Sequence, residues 1–150
     1  MRHLIIVLIA LTTISSFSQT KDYNVKKGAV ANGYDVVAYF SNKAIKGNKK
    51  FATKYDNVSF YFSSKENLNI FKENPEKYIP QYGGYCAYAI AKKKTKMYVD
   101  PEVYEIRDGK LYLFYSSWLS SKLSDWQEGD TKKLQKQGDK NWEDLKYIKK

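Results

Sequence analysis

Apolar and polar positions alternate over two stretches of this chain, and each stretch is followed by apolar residues at helical spacing. Phe51, Thr53 and Tyr55 share one side of a strand, Asp56-Asn57 makes a two-residue turn, and Val58, Phe60 and Phe62 alternate on the return. Because strand side chains repeat every two residues, this pattern predicts a β-hairpin. Val103 to Arg107, an Asp108-Gly109 turn and Lys110 to Tyr115 predict a second one, Asp-Gly being suited to the positive φ angles of tight hairpins. After the first hairpin, Ser63-Ser64-Lys65-Glu66 reads as a capping box with Ser63 as the cap, opening a helix that turns Leu68 and Phe71 inward. Asn74-Pro75 stops that helix, and Pro75 starts one further turn to Tyr78 before Pro80 closes it. After the second hairpin, Ser116 or Ser117 is expected to cap a helix carrying Leu119, Leu123 and Trp126. A lysine-rich loop should follow, with Asp139 capping a last helix through Trp142 and Leu145. The segment from Gly33 to Phe40 reads as a β-rich run, Lys43 to Lys50 as a charged loop and Tyr82-Gly83-Gly84 as a flexible break. Tyr85 to Ala91 is too short and alanine-rich for periodicity to choose between strand and helix.

Set side by side, the two halves look alike. Gly33-Tyr34-Asp35 precedes one hairpin-and-helix unit and Gly84-Tyr85-Cys86 precedes the other, while Tyr61-Phe62-Ser63-Ser64 matches Phe114-Tyr115-Ser116-Ser117 at an offset near fifty. The fold class expected is α+β: two β-hairpin-plus-helix units, a degenerate internal duplication, packed as one small domain from about Tyr23 to Tyr147 within residues 19–150. In such a duplication Asp35 and Cys86 occupy equivalent places.

The start of the chain changes the picture of where this domain works. Leu4 to Leu11 is an unbroken apolar run too short to span a bilayer, followed by small polar residues through Gln19. Residues 1–18 therefore read as a signal peptide and the remainder as an exported, periplasmic or secreted protein. An exported domain often relies on disulfides, but Cys86 is the only cysteine. Fourteen tyrosines and seven phenylalanines must supply the core instead. The formal net charge is +10, almost all of it lysine, with Arg107 the only arginine beyond Arg2. Lysine is a hydrated point charge without the planar fork that reads bases, so the charge points to anionic surfaces and not to sequence-specific nucleic-acid binding. Lys92, Lys93, Lys94 and Lys96 form the densest cluster.

Candidate chemistry is sparse. Beyond His3 in the leader there is no histidine, which removes a serine triad, and no carboxylate pair has glycosidase spacing. Asp56, Asp100 and Asp108 fall at turns, leaving Asp35 as the aspartate with a candidate buried polar role. Cys86 is the foremost candidate for ligand chemistry: Gly83 and Gly84 give its backbone room, and Tyr82, Tyr85 and Tyr88 surround it in sequence. If Tyr85 opens a helix, the dipole favours the thiolate, and Cys86 with Met97 would make a weak site for a soft metal ion such as copper(I). The alternative is a buried cysteine acting as a small hydrophobe.

The series Gly33-Tyr34-Asp35-Val36-Val37-Ala38-Tyr39-Phe40, Phe60-Tyr61-Phe62-Ser63-Ser64-Lys65-Glu66-Asn67, Asn74-Pro75-Glu76-Lys77-Tyr78 and Tyr82-Gly83-Gly84-Tyr85-Cys86-Ala87 resembles the YHS domain family, in particular its exported stand-alone bacterial members. The resemblance continues through Asp108-Gly109-Lys110-Leu111-Tyr112-Leu113 and Asn141-Trp142. It implies soft-metal binding, which in relatives beside copper and heavy-metal transport uses a cysteine at the end of the return strand. Ser63 stands at that place here. Three readings follow. The first is a non-enzymatic metal- or small-ligand-binding accessory module centred on Cys86. The second is an interaction protein whose lysines dock on an anionic partner while Cys86 is structural. The third is a thiol redox protein.

Overall fold

The computed structural model describes residues 19–148, so the expected leader, residues 1–18, lies outside the described residues. The described chain is α+β, as the pattern required. A short ribbon of β1 (Val25–Lys26) and β2 (Ala29–Val30) leads in, and the hairpin of β3 (Asn48–Tyr55) and β4 (Val58–Phe62) follows with α1 (Lys65–Glu73) and the single turn α2 (Pro75–Tyr78). Then come α3 (Ala87–Lys93), the hairpin of β5 (Asp100–Arg107) and β6 (Lys110–Phe114), a small ribbon of β7 (Ser116–Ser117) and β8 (Ser120–Ser121), and helices α4 (Lys122–Glu128) and α5 (Thr131–Glu143). Both long hairpins turn where the sequence placed the turn, and Asp56, Asn57, Asp108 and Gly109 all take the positive φ that tight turns use.

The internal duplication is visible in the hydrogen bonds. In the first hairpin Asn48 pairs with Phe62 and Ala52 with Tyr61, a bulge intervening; in the second, Asp100 pairs with Phe114 and Tyr104 with Leu113 across the same irregularity. Each position is displaced by 52 residues. Upstream, Tyr34 N donates to Ala31 O and Asp35 N to Ile45 O, while Tyr85 N donates to Tyr82 O and Cys86 N to Met97 O. Left-handed residues recur as well, at Ala31, Asn32 and Gly33 and again at Tyr82, Gly83 and Gly84. The structural register pairs Phe62 with Phe114 and Ser63 with Tyr115, one residue from the sequence alignment, because the hairpin pairing and not the shared serines sets it.

Two aromatic clusters form the core. Phe60, Phe62 and Phe71 pack with Val30, Tyr39, Leu111 and Leu113, the Phe60 and Phe71 rings lying 4.8 Å apart. Tyr112, Phe114 and Trp126 pack with Ile90 and Leu134 in the second. Strand β6 separates the clusters, since Leu111 and Leu113 face one and Tyr112 and Phe114 the other. Burial on both faces explains its unbroken apolar sequence.

Several local expectations are corrected. Gly33 to Phe40 is not a strand but turns and short 3-10 segments, because the Asp35 side chain captures the amides of Val37 and Ala38 and winds the chain. The cap of α1 is Ser64, whose hydroxyl accepts from Asn67 N, and Ser63 is engaged elsewhere. Ser116 and Ser117 cap no helix; they pair with Ser121 and Ser120, which leaves Leu119 at an exposed turn. The expected lysine-rich loop is helix α5, capped by Asp130, with Leu134, Gly138 and Asn141 buried on one stripe and Asp139 mid-helix. Tyr85 to Ala91 resolves as helix, with Cys86 at its N-cap position.

Candidate functional site

Asp35 is 0 % exposed and fully engaged by the protein itself. Its Oδ1 accepts from the amides of Val37 (2.9 Å) and Ala38 (3.2 Å). Its Oδ2 accepts from Ser63 N (2.8 Å), Ser63 Oγ (2.6 Å) and Asn67 Nδ2 (2.7 Å). Five donors saturate the carboxylate, so Asp35 knots the turn to the end of β4 and the first turn of α1 and has no lone pair facing a ligand. The sequence reading did not find Ser63 and Asn67 as its partners. Their spacing of four, one face of a helix entrance, was the available signal.

Cys86 occupies the equivalent seat. The amides of Tyr88, Ala89 and Tyr115 are turned toward its sulfur and draw its pKa down, matching Val37, Ala38 and Ser63 around Asp35. The side chain nevertheless makes no formed capping hydrogen bond. Burial outweighs these amides and pushes the thiol above its ordinary value, because a thiolate at 0 % exposure loses its hydration. The expectation of an activated thiolate is therefore corrected. Met97 is close through its backbone, its carbonyl accepting from Cys86 N at 3.0 Å, but the sulfur of Cys86 is enclosed in the first aromatic cluster. Among the described residues no group of three or more His, Cys, Asp or Glu side chains is arranged to hold a metal ion.

The glycine pair does not open a path to the thiol. A Cβ on Gly83 would lie 2.4 Å from Asp22 O, and Gly84 is flanked by Pro80 and Val30. Both glycines take positive φ, so they serve the left-handed turn and the close passage of the irregular segment Asp22 to Asn24. Asn24 N donates to Gly83 O and Asn24 Nδ2 to Gly84 O, which ties that segment down. Tyr82, Gly83 and Gly84 are buried, whereas Tyr85 is half-buried. Burial, aided by Asp22, pushes the Tyr85 phenol up to about 12.

Two cavities divide what remains of the expected site. One of about 300 Å³ lies under the Tyr82-Gly83 turn, with Asp22, Asp139, Trp142 and Lys146 in its wall. Its polar groups already have partners within the protein: Tyr82 donates to Asp139 at 3.0 Å, Lys96 meets Asp22, and Lys146 meets Glu143 at 2.6 Å. The other, about 730 Å³, lies between α3, α4 and α5, and Tyr88 opens onto it. Lys92, Lys93 and Lys94 at the end of α3 face it together with Lys133 of α5. Asp125 in its wall is paired with Lys122 (2.6 Å), and Asp130 is occupied as the α5 cap. Lys94 reaches Asp144, while no ion pair engages Lys92, Lys93 or Lys133 among the described residues. Buried Asn141 donates to Ile90 O (2.9 Å) and Ala91 O (3.1 Å) and fixes α5 against α3. The structure thus separates the expected cluster: Asp35 and Cys86 are sealed in twin seats, Tyr82 and Gly83 line one cavity, and Tyr88 lines the other with the lysines.

The described residues thus form a small α+β module whose two polar seats are closed and whose larger cavity is lined by lysines. Residues 36–82 match the model of the YHS domain, and the match supports assigning that span to the YHS domain family. Comparison with curated proteins finds no match. Comparison with solved structures finds none either. The family match takes in the first unit, including Ser63, and ends at the glycine turn. Cys86, Met97 and the lysine cavity belong to the second unit, beyond it.

Proposed function

We propose that this YHS-domain chain is a non-enzymatic, exported binding module that docks on an anionic partner through the cavity between α3, α4 and α5. The observation that carries the reading is the gathering of Lys92, Lys93, Lys94 and Lys133 around one space of about 730 Å³ whose aspartates are already engaged. Asp144, which meets Lys94, and the capping Asp130 offset part of this charge, and Lys92, Lys93 and Lys133 leave the wall positive on balance, where a concave surface concentrates the field. Cys86 is in this account a packing residue. Soft-metal ligation by Cys86 and Met97 and thiol redox chemistry both need an approachable sulfur, and the enclosure of Cys86 supports neither.

The test is salt-dependent retention on an anionic support. The triple variant K92Q/K93Q/K94Q should elute at clearly lower salt than wild type. K49Q/K50Q/K54Q, which removes the same charge from exposed positions on β3, should change elution less. Equal losses from both triples would mean that general basicity and not this cavity binds the anion.

A further inference from the structure

The repeat isolates one segment that it does not explain. From β3 to the end of β6 the two units run at a displacement of 52, but Ser64, the cap of α1, corresponds to Ser121 before α4, a displacement of 57. The extra residues are the β7–β8 ribbon, which has no counterpart in the first unit. Trp118 and Leu119 form its two-residue turn, and they are 91 % and 73 % exposed, the most exposed large apolar side chains among the described residues.

Neither packing nor turn chemistry accounts for this pair. Two-residue hairpin turns favour Gly, Asn or Asp with positive φ, and Trp118 and Leu119 have neither the residue type nor the angle. The side chains touch no core. What lies next to them is charge. The ribbon runs directly into Lys122, whose ammonium sits 5.7 Å from the Tyr88 ring and bridges to Asp125. Tyr88 and Asp125 are both wall residues of the lysine cavity, so Lys122 links the ribbon that carries the apolar tip to the rim of the basic patch.

We infer that the Trp118-Leu119 tip inserts into the headgroup region of an anionic lipid bilayer, with the neighbouring lysines held over the lipid phosphates. The inference rests on the reading of the lysine cavity as an anion-docking site and names its partner. An indole favours the water–lipid boundary, where its ring is apolar and its N–H stays wet, and adjacent lysines add attraction to anionic headgroups. Either element alone gives weak, reversible binding; together they provide two signals. Among the described residues no helix is long and apolar enough to cross a membrane, so the contact is peripheral.

The experiment uses the chain from Gln19 onward, so that the apolar Leu4 to Leu11 run contributes nothing, with vesicles of phosphatidylcholine alone or mixed with phosphatidylglycerol. Wild type should co-sediment with the anionic vesicles and scarcely with the neutral ones, with a blue shift in tryptophan emission that W118F abolishes. W118S/L119S should lower partitioning at least tenfold while leaving elution from the anionic support unchanged, and K92Q/K93Q/K94Q should lower both. Retention on the support without vesicle binding, or undiminished vesicle binding by W118S/L119S, would overturn the inference and leave the anion-docking reading standing. Absence of both would remove both. A concentration-dependent dimer that W118S/L119S dissociates, without vesicle binding, would assign the tip to a second copy of the chain and also overturn it.

Discussion

Replacing Asp35 by alanine should be among the most destabilising single changes in this chain, and the structure says why. The carboxylate accepts five hydrogen bonds from Val37, Ala38, Ser63 and Asn67. Hydrogen bonds to a charged acceptor contribute roughly 1.5–3 kcal/mol each, but bonds within one network are not additive. The Ser63 hydroxyl and the Asn67 amide can rotate toward other partners, whereas the amides of Val37, Ala38 and Ser63 cannot. Counting about 1–2 kcal/mol for each stranded amide gives a loss of about 4 kcal/mol, a large share of the roughly 5–15 kcal/mol that holds such a domain. Asp35→Asn keeps the volume and one oxygen but sets an NH₂ against donors, so it should cost about 2–3 kcal/mol. Truncating the twin seat, Cys86→Ala, removes only a weak acceptor and leaves a small void, at about 1–2 kcal/mol. Urea unfolding followed by far-ultraviolet circular dichroism measures all three through the midpoint at constant slope. An Asp35→Ala midpoint within about 1 kcal/mol of wild type would refute the claim that this knot holds the first unit together.

Three further outcomes follow from the same geometry. The Cys86 thiol, enclosed and raised in pKa by burial, should react with a disulfide reagent at pH 8 only as fast as the domain opens, and labelling should accelerate in step with unfolding by denaturant; fast labelling of the native chain would contradict the enclosure. Burial lifts the phenols of Tyr23, Tyr39 and Tyr82 above their ordinary 10.0, so above that pH the unfolded chain sheds protons that the folded chain keeps, and stability should fall as pH rises through 10; an unfolding midpoint that stays flat from pH 8 to 11 would count against their burial. Burial alone would raise Glu105, but Arg107, Gln127 and the Trp126 indole (2.9 Å) all donate to it and bring its pKa below 4.5, so its contribution is present above that pH and lost as acid brings it through the folded value. Glu105→Gln should cost about 1–2 kcal/mol at neutral pH, the exposed share of Arg107 being screened by water, and should flatten the acid side of the stability profile; an unchanged acid limb would contradict it.

The hairpins and the repeat were legible because they are written in local signals: strict alternation, Asp-Asn and Asp-Gly turns, and two aromatic return strands. The Gly33 to Phe40 stretch was misread because its β-branched residues have strand propensity, while the decisive contact is the Asp35 carboxylate reaching Ser63 and Asn67, residues 28 and 32 positions away. Helix α5 was hidden under its lysines, since Leu134, Gly138 and Asn141 make a buried stripe of only one large apolar side chain. Cys86 drew attention as the lone thiol beside two glycines. The repeat paired Cys86 with Asp35, but that both seats are closed, and that the glycines face the chain's own segment Asp22 to Asn24, depends on long-range contacts that the local sequence does not carry. The basic cluster at Lys92 to Lys94 was visible in sequence, but its cavity needed α5 to be placed beside α3, which buried Asn141 accomplishes.

The central claim is that ligands meet this protein at the lysine cavity and not at the cysteine. Titrating the ¹⁵N-labelled chain from Gln19 onward with a soluble anionic probe, such as the headgroup glycerol phosphate, tests it residue by residue. Amide shifts confined to Lys92, Lys93, Lys94, Lys133 and their neighbours, saturating together and lost at high salt, are the expected result. Shifts centred on Cys86, Met97 and the Tyr82 to Gly84 turn, with the lysine amides unmoved, would contradict the account.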